Sequence, residues 1–191
     1  MRIKDSDKID IIFKASLDLI FENGLAGLTM AKIAKEAGLA TGTLYIYFRN
    51  KQELINELYL SLRRDSVERF LKGYSEDQPF KIAIKTIWVN YLTHRIEHYK
   101  ESVFLEQYYR SPFITEEHKA LAELMKAPVH KIIERGKKEM LIKSNVDNEM
   151  LFLSMLGFIR ELADEHVAKV YELNDEKIEK AFLLSWDTIK A

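Results

Sequence analysis

Apolar residues recur at three- and four-residue spacing along almost the whole chain, and no stretch alternates with a period of two; the pattern predicts an all-α protein. Ile9, Ile12, Phe13, Ser16, Leu17, Ile20 and Phe21 share one face of a first helix, opening near Asp5–Asp7 and closing at Asn23-Gly24. Ile33, Ala34 and Ala37 mark a short second helix. Gly38 ends it, because glycine enters the left-handed region cheaply. Leu39 then plugs the angle before a third short helix that Leu44 and Phe48 anchor to the core. Asn50, with Glu53 three residues on, reads as a capping box opening a long helix through Leu54, Ile55, Leu58 and Leu62 to about Gly73.

Gly73 to Pro79 forms the expected link to the remainder, with Pro79 placed to begin the next helix. That helix carries Ile82, Ile84, Ile87, Trp88, Tyr91 and Leu92 on more than one face, which implies burial between neighbours. A short aromatic helix, Val103 to Tyr109, breaks at Ser111-Pro112. Thr115 caps another with Leu121, Leu124, Met125, Val129 and Ile132, in which Pro128 is expected to introduce a kink. Two helices follow, about Asp147 to Val170 and about Asp175 to Ile189.

The second and third helices form a helix-turn-helix. Thr41, Gly42, Thr43, Tyr45 and Tyr47 are expected to face outward, a surface of small and hydroxyl side chains at a helix N-terminus. Such a surface suits a DNA major groove, where backbone N–H groups meet phosphates and hydroxyls reach phosphates or base edges. Thr29 and Met30 at the start of the second helix, and Lys51 in the first turn of the long helix, complete the expected contact set.

In one register without a gap, Ala15, Ile20, Phe21, Gly24, Thr29, Ile33, Ala34, Ala37, Gly38, Gly42, Thr43, Leu44, Tyr45, Tyr47, Phe48, Lys51 and Leu54 follow a known pattern. On these residues the chain resembles the TetR family of bacterial transcriptional regulators. The resemblance covers about the first quarter of the chain. It implies an N-terminal helix-turn-helix domain over residues 1–51, a connecting helix from about 51 to 73, and a helical ligand-binding and dimerisation domain within 52–191. One position departs from the pattern: Ala40 stands where the family usually has a Ser cap. An Ala cap costs about 0.5–2 kcal/mol, so either it is tolerated or the cap shifts to Thr41.

Charge refines this picture. The whole chain carries a formal net charge of −1, against a wholly electrostatic nucleic-acid binder. Residues 1–51 hold eight basic and six acidic side chains, so affinity must lean on geometry and on two copies of the domain. Cysteine is absent, which excludes disulfides, thiolate nucleophiles and Cys-zinc sites. No signal peptide or membrane-length apolar run appears, and a cytoplasmic protein without a cofactor is expected.

The second domain carries less specific signals. Trp88, Tyr91, His94, Phe104, Gln107, Tyr108, Met125, Met155 and Phe158 are candidates for a mostly apolar effector pocket of several hundred Å3, with Trp88 and Tyr108 as its walls. The same composition would equally build an ordinary core. Arg160, inside an apolar stretch, needs a carboxylate from Glu161, Asp164 or Glu165. The run from Met150 to Ile159 is apolar all round, so one face is expected to meet a second copy, with Leu153, Leu156, Ile159, Phe182 and Trp186 in the interface. His94, Glu97 and His98 spell an inverted zinc-protease pattern. It is short and lacks a third acidic ligand, so a zinc hydrolase is the remote alternative. The expected function is a homodimeric repressor bound to an inverted-repeat operator on double-stranded DNA and released by a small-molecule effector. The alternative is a DNA-binding protein whose C-terminal domain meets a protein partner.

Overall fold

The computed structural model describes residues 5–191, and side chains there apart from those of residues 5, 6 and 125. The described residues form nine α-helices and one 3-10 turn (Leu25–Gly27), joined by loops and with no strand among them: α1 (Asp5–Asn23), α2 (Met30–Glu36), α3 (Thr41–Tyr47), α4 (Lys51–Phe70), α5 (Phe80–Glu97), α6 (Tyr99–Tyr109), α7 (Glu116–Lys138), α8 (Asn148–Val167) and α9 (Asp175–Ile189). The all-α expectation holds. None of these helices is long and apolar enough to cross a membrane.

Contacts group the chain into two units. The first takes in the chain through Arg64 together with Lys100–Lys119; the second is Asp65–Tyr99 with Ala120–Ala191. The expected boundary at residue 51 therefore differs from this division on two counts. The first turns of α4 belong with the helix-turn-helix, and so does α6, which is distant in sequence.

In the first unit, Ile12, Ile20, Leu28, Ile33, Leu44, Leu54 and Leu58 form one apolar core with Phe104 and Tyr108 of α6. All but Leu28, which follows α1 in extended conformation, come from the inward stripes of their helices, so burial rather than intrinsic propensity holds the short α2 and α3 in place. A polar network runs through this core. The Tyr108 hydroxyl lies 2.8 Å from Asn56 Oδ1 and 2.7 Å from His118 Nδ1, and Gln52 Nε2 donates to Asn56 Oδ1 at 2.6 Å. Tyr108 has one proton to give. If it goes to Asn56, His118 carries its proton on Nδ1 and donates to the Tyr108 oxygen, so that the hydroxyl both donates and accepts. Burial, with Tyr59 stacked on the ring, pushes the Tyr108 phenol up to about 12, keeping it a neutral donor.

In the second unit α5 packs chiefly against α8, and α9 packs on both. Phe80, Ile84, Trp88, Leu92, Ile132, Leu151, Met155, Ile159 and Phe182 make its core. Gly136 in α7 makes room for that packing, since a Cβ there would stand 2.3 Å from Cζ of Phe80 and the ring would have to shift. α4 stops at Phe70, where the Asn90 amide donates to the carbonyls of Phe70 and Lys72 at 3.0 and 2.7 Å. The helix containing Pro128 continues through it. The carbonyl that loses its helical donor there belongs to Leu124, an exposed residue that water can reach. After α9 the backbone turns back: Lys143 N–H donates to the Ile189 carbonyl at 2.9 Å and Ala191 N–H to the Leu141 carbonyl at 3.2 Å, an isolated antiparallel bridge.

Candidate nucleic-acid interface

The helix-turn-helix forms as its sequence spacing requires. Gly38, at φ 66°, lets the Leu39 N–H reach back to the Ala34 carbonyl at 2.8 Å and the Gly38 N–H to Lys35 at 3.2 Å, closing α2. Thr29 caps the front of α2, its hydroxyl accepting from Lys32 N–H at 3.2 Å. Leu44 and Phe48 point inward and leave the opposite side of α3 to solvent.

Of the residues expected on that face, Thr41, Gly42 and Tyr45 are exposed, while Thr43 and Tyr47 are half-buried, Tyr47 packing against the core. Met30 is a correction. Its side chain is 7% exposed and belongs to the core, so it has no apolar surface to offer a groove. Ile46 is the residue sequence reasoning missed. It is 77% exposed beside Tyr45, and the signal lay in the helical period, which sets position 46 opposite the Leu44–Phe48 seam. Its methyl groups fit the apolar contacts that thymine methyls accept in a major groove.

The cap question resolves on Ala40. It occupies the cap position in extended conformation without a side-chain hydrogen bond, and Thr41 is the first helical residue. The Thr41 hydroxyl is thus not spent on capping. The start of α4 is built more firmly. Asn50 Oδ1 accepts from Glu53 N–H at 2.9 Å, one half of the expected capping box. The Glu53 carboxylate, however, turns to Arg49, accepting from its backbone N–H and, at 3.0 Å, from its guanidinium. That pairing holds Glu53 below the usual carboxylate range and raises Arg49. Lys51, half-buried in the first turn, places its ammonium 5.5 Å from the centre of the Phe113 ring.

The residues expected to line one pocket fall into different units. Phe104, Gln107 and Tyr108 belong to the first; Trp88, Tyr91, His94, Met155 and Phe158 to the second. Gln107 is exposed. The Met125 side chain lies outside the described residues. Trp88 and Tyr108, expected to keep a polar tip for a ligand, have committed theirs: the Trp88 indole N–H donates to Ser185 Oγ at 3.0 Å, and the Tyr108 hydroxyl is held by its network. An open depression of about 810 Å3 follows α7, lined by Ala120, Leu124, Ala127 and His130 with charged neighbours.

His94 is different. It is 4% exposed, edge-on to Phe70 and stacked on His98 with ring centres 5.1 Å apart, and neither ring nitrogen has a hydrogen-bond partner. Burial, then the positive fields of His98 and Arg69, push it down to about 4, so the ring is neutral at pH 7. Glu97, the third residue of the inverted zinc-protease pattern, is exposed. Among the described residues no group of three or more His, Cys, Asp or Glu is placed to hold a metal ion. The zinc reading of His94, Glu97 and His98 thus has no structural support. Asp164, expected near Arg160, holds the buried Arg95, with N–O distances of 2.9 and 3.2 Å to its two oxygens.

Two of the expected interface residues are also corrected. Ile159 and Phe182 are each 1% exposed within the single chain and have no surface left for a partner. Leu153 is exposed as expected, and Leu156 and Trp186 are half-buried; Met150, Leu183 and Leu184 add to the outward apolar surface of α8 and α9.

Residues 12–58 match the family profile described as bacterial regulatory proteins, tetR family. Residues 79–190 match one described as tetracyclin repressor-like, C-terminal domain. An HTH-type transcriptional regulator of Haemophilus influenzae is 27% identical over 190 residues, spanning 100% of both chains. The crystal structure of a TetR family transcription regulator from Marinobacter aquaeolei superposes with a TM-score of 0.89 at 26% identity, covering 100% of this chain and 99% of the other. A TetR family protein from Vibrio parahaemolyticus is 32% identical, with a TM-score of 0.79 over 97% of this chain and 99% of its own. With an N-terminal helix-turn-helix and a matching C-terminal helical domain, the chain belongs to the TetR family of bacterial transcriptional regulators, whose helix-turn-helix binds DNA.

Proposed function

We propose that the protein is a cytoplasmic homodimeric repressor that binds an inverted-repeat operator through two copies of α3 and leaves it when a small, mostly apolar effector binds the C-terminal domain. The observation that carries the DNA reading is the outward surface of Thr41, Gly42, Tyr45 and Ile46 on a helix whose other side is core. Thr29 and Thr43 flank that surface, and Lys51 reaches a phosphate from the start of α4. A net charge near zero favours a dimer, because two recognition helices about 34–36 Å apart on successive major grooves supply affinity that charge does not.

Self-association is supported by the exposed Met150 and Leu153 of α8 and Leu183 and Leu184 of α9, large apolar side chains left in water on two successive helices. The effector reading is supported by His94. A buried imidazole with both nitrogens unsatisfied costs about 1–3 kcal/mol per group, and a guest with a hydrogen-bonding head on an apolar body would recover that cost. An effector acts only as far as it prefers the DNA-incompetent state. A second reading, a C-terminal domain that meets a protein, is favoured by the strongly exposed Leu124 beside the open depression on α7.

The test starts from a duplex enriched from a random-sequence library by the wild-type protein. An inverted repeat is expected, with sedimentation showing two chains per site. A screen of small apolar compounds for raised melting temperature should then return one that also dissociates that duplex, and H94F should lose the response. Enrichment of no sequence, or a monomer on DNA, would sink the first reading. A screen without hits and a protein captured through α7 would favour the second.

A further inference from the structure

We propose that Phe113, in the turn between α6 and α7, is a positioning residue for DNA binding, holding Lys51 and the first turn of α4 in the conformation that meets the phosphate backbone. The inference rests on the reading that Lys51 contacts a phosphate, and it deepens that reading by naming what aims the lysine. A lysine ammonium on its four-carbon stem has much rotamer freedom to lose on binding. Here that freedom is already restricted, because Lys51 Nζ lies 5.5 Å from the centroid of the Phe113 ring, within cation–π range.

Phe113 grips the same turn a second time through its backbone. Its carbonyl accepts from Gln52 Nε2 at 3.1 Å, the side chain next to Lys51 and 61 positions away in sequence. The Tyr108 hydroxyl lies 3.3 Å from that carbonyl as well. Ser111 fixes the turn: its hydroxyl donates to the Tyr108 carbonyl at 2.8 Å and accepts from Phe113 N–H at 3.2 Å. Tyr108 is in turn locked to His118 and Asn56, the latter one helical turn beyond Gln52 on α4. Ring, carbonyl and network all belong to the first unit, so the segment 108–118 acts as a brace on the DNA-facing end of α4. Binding strength then depends on a residue that never touches DNA.

The experiment measures affinity for the library-enriched duplex by fluorescence anisotropy over a salt series. It compares wild type, F113L, F113Y, K51A and K51A/F113L, with melting followed by circular dichroism. F113L, which keeps apolar bulk but lacks a ring face, should weaken binding about two- to fivefold per half-site. F113Y should bind like wild type. K51A should flatten the log–log salt slope by about one per half-site, and K51A/F113L should bind no worse than K51A. F113M replaces F113L if the latter melts below the assay temperature. Equal losses from F113L in both backgrounds, or no loss at all, would overturn the positioning role while leaving the Lys51 contact standing. Unchanged affinity and slope for K51A would remove the phosphate contact, and the inference with it.

Discussion

The two units of this chain are built from the same material and finished differently. In the helix-turn-helix unit Tyr108, His118, Asn56 and Gln52 close one hydrogen-bonded network, and the buried Ser16 donates to the Ile12 carbonyl at 2.7 Å. In the unit of α5, α8 and α9, a buried histidine has neither nitrogen paired, and Met150, Leu153 and Leu184 stand in water. A closed polar core makes one rigid surface, as reading DNA demands. Among the described residues, unmet hydrogen-bonding capacity is what the second unit alone keeps, while uncovered apolar surface, Ile46 in the first and Leu153 in the second, is what either keeps for a partner that arrives from outside.

The sharpest way to break this contrast is to charge an inner and an outer position of α8. Ile159→Glu should destabilise the protein by about 3–5 kcal/mol or prevent folding, because it strands a charge in the core. Leu153→Glu should fold and melt as a monomer. Chemical denaturation and sedimentation separate the two, and if wild type sediments as a dimer, a Leu153→Glu protein that does the same would show that Leu153 lies outside the interface.

Acid should expose the unpaired histidine. With a folded value of about 4 against an ordinary 6.5, His94 binds its proton more readily in the unfolded chain. Its contribution is therefore present in full above pH 6.5 and lost as pH falls from 6.5 toward 4, by about 3 kcal/mol at most. Melting curves of H94F over that range should be flatter than those of wild type. Parallel curves would mean that the ring has a proton acceptor after all.

Two glycines give a smaller test. Gly136→Ala should cost about 1–3 kcal/mol, since Phe80 must move. Gly42→Ala meets nothing within 4 Å, so it should leave melting unchanged or raise it by up to about 1 kcal/mol. If Gly42 faces DNA, only the second change should reduce affinity for the enriched duplex. The mildest substitutions for stability are Tyr45→Ala and Ile46→Ala, expected within about 0.5 kcal/mol of wild type while weakening sequence-specific binding. Unaltered anisotropy titrations for both would mean that α3 presents another face to the groove.

The helix-turn-helix could be read from sequence because everything that builds it is local. Gly38, Leu39, Leu44 and Phe48 lie within eleven positions, and their spacing dictates both the turn and the outward face. The errors came where a distant partner decides. An apolar run such as Met150 to Ile159 does not reveal which side turns inward; α5 and α9 settle that Ile159 is core and Leu153 is not. Arg95 is buried because Asp164, far along the chain, waits for it. Met30 looked like a groove residue at a helix start, yet it belongs to the core of the first unit. Nor does sequence position show that α6, inside the stretch matching the C-terminal profile, packs through Phe104 and Tyr108 with the first unit.

The bridge between Ile142 and Lys190 has a kinetic consequence. Two backbone hydrogen bonds and the paired burial of Ile142 and Ile189 stitch the C-terminal end of α9 to the loop before α8. Its other end is held by a side-chain cap, Asn174 accepting from Lys177 N–H at 2.9 Å. Local opening of α9 is therefore expected to begin at Asp175 and travel toward Trp186, the reverse of a helix whose last turn frays. Amide exchange along α9 should form a gradient, fastest in its first turns and slowest beside Ile189.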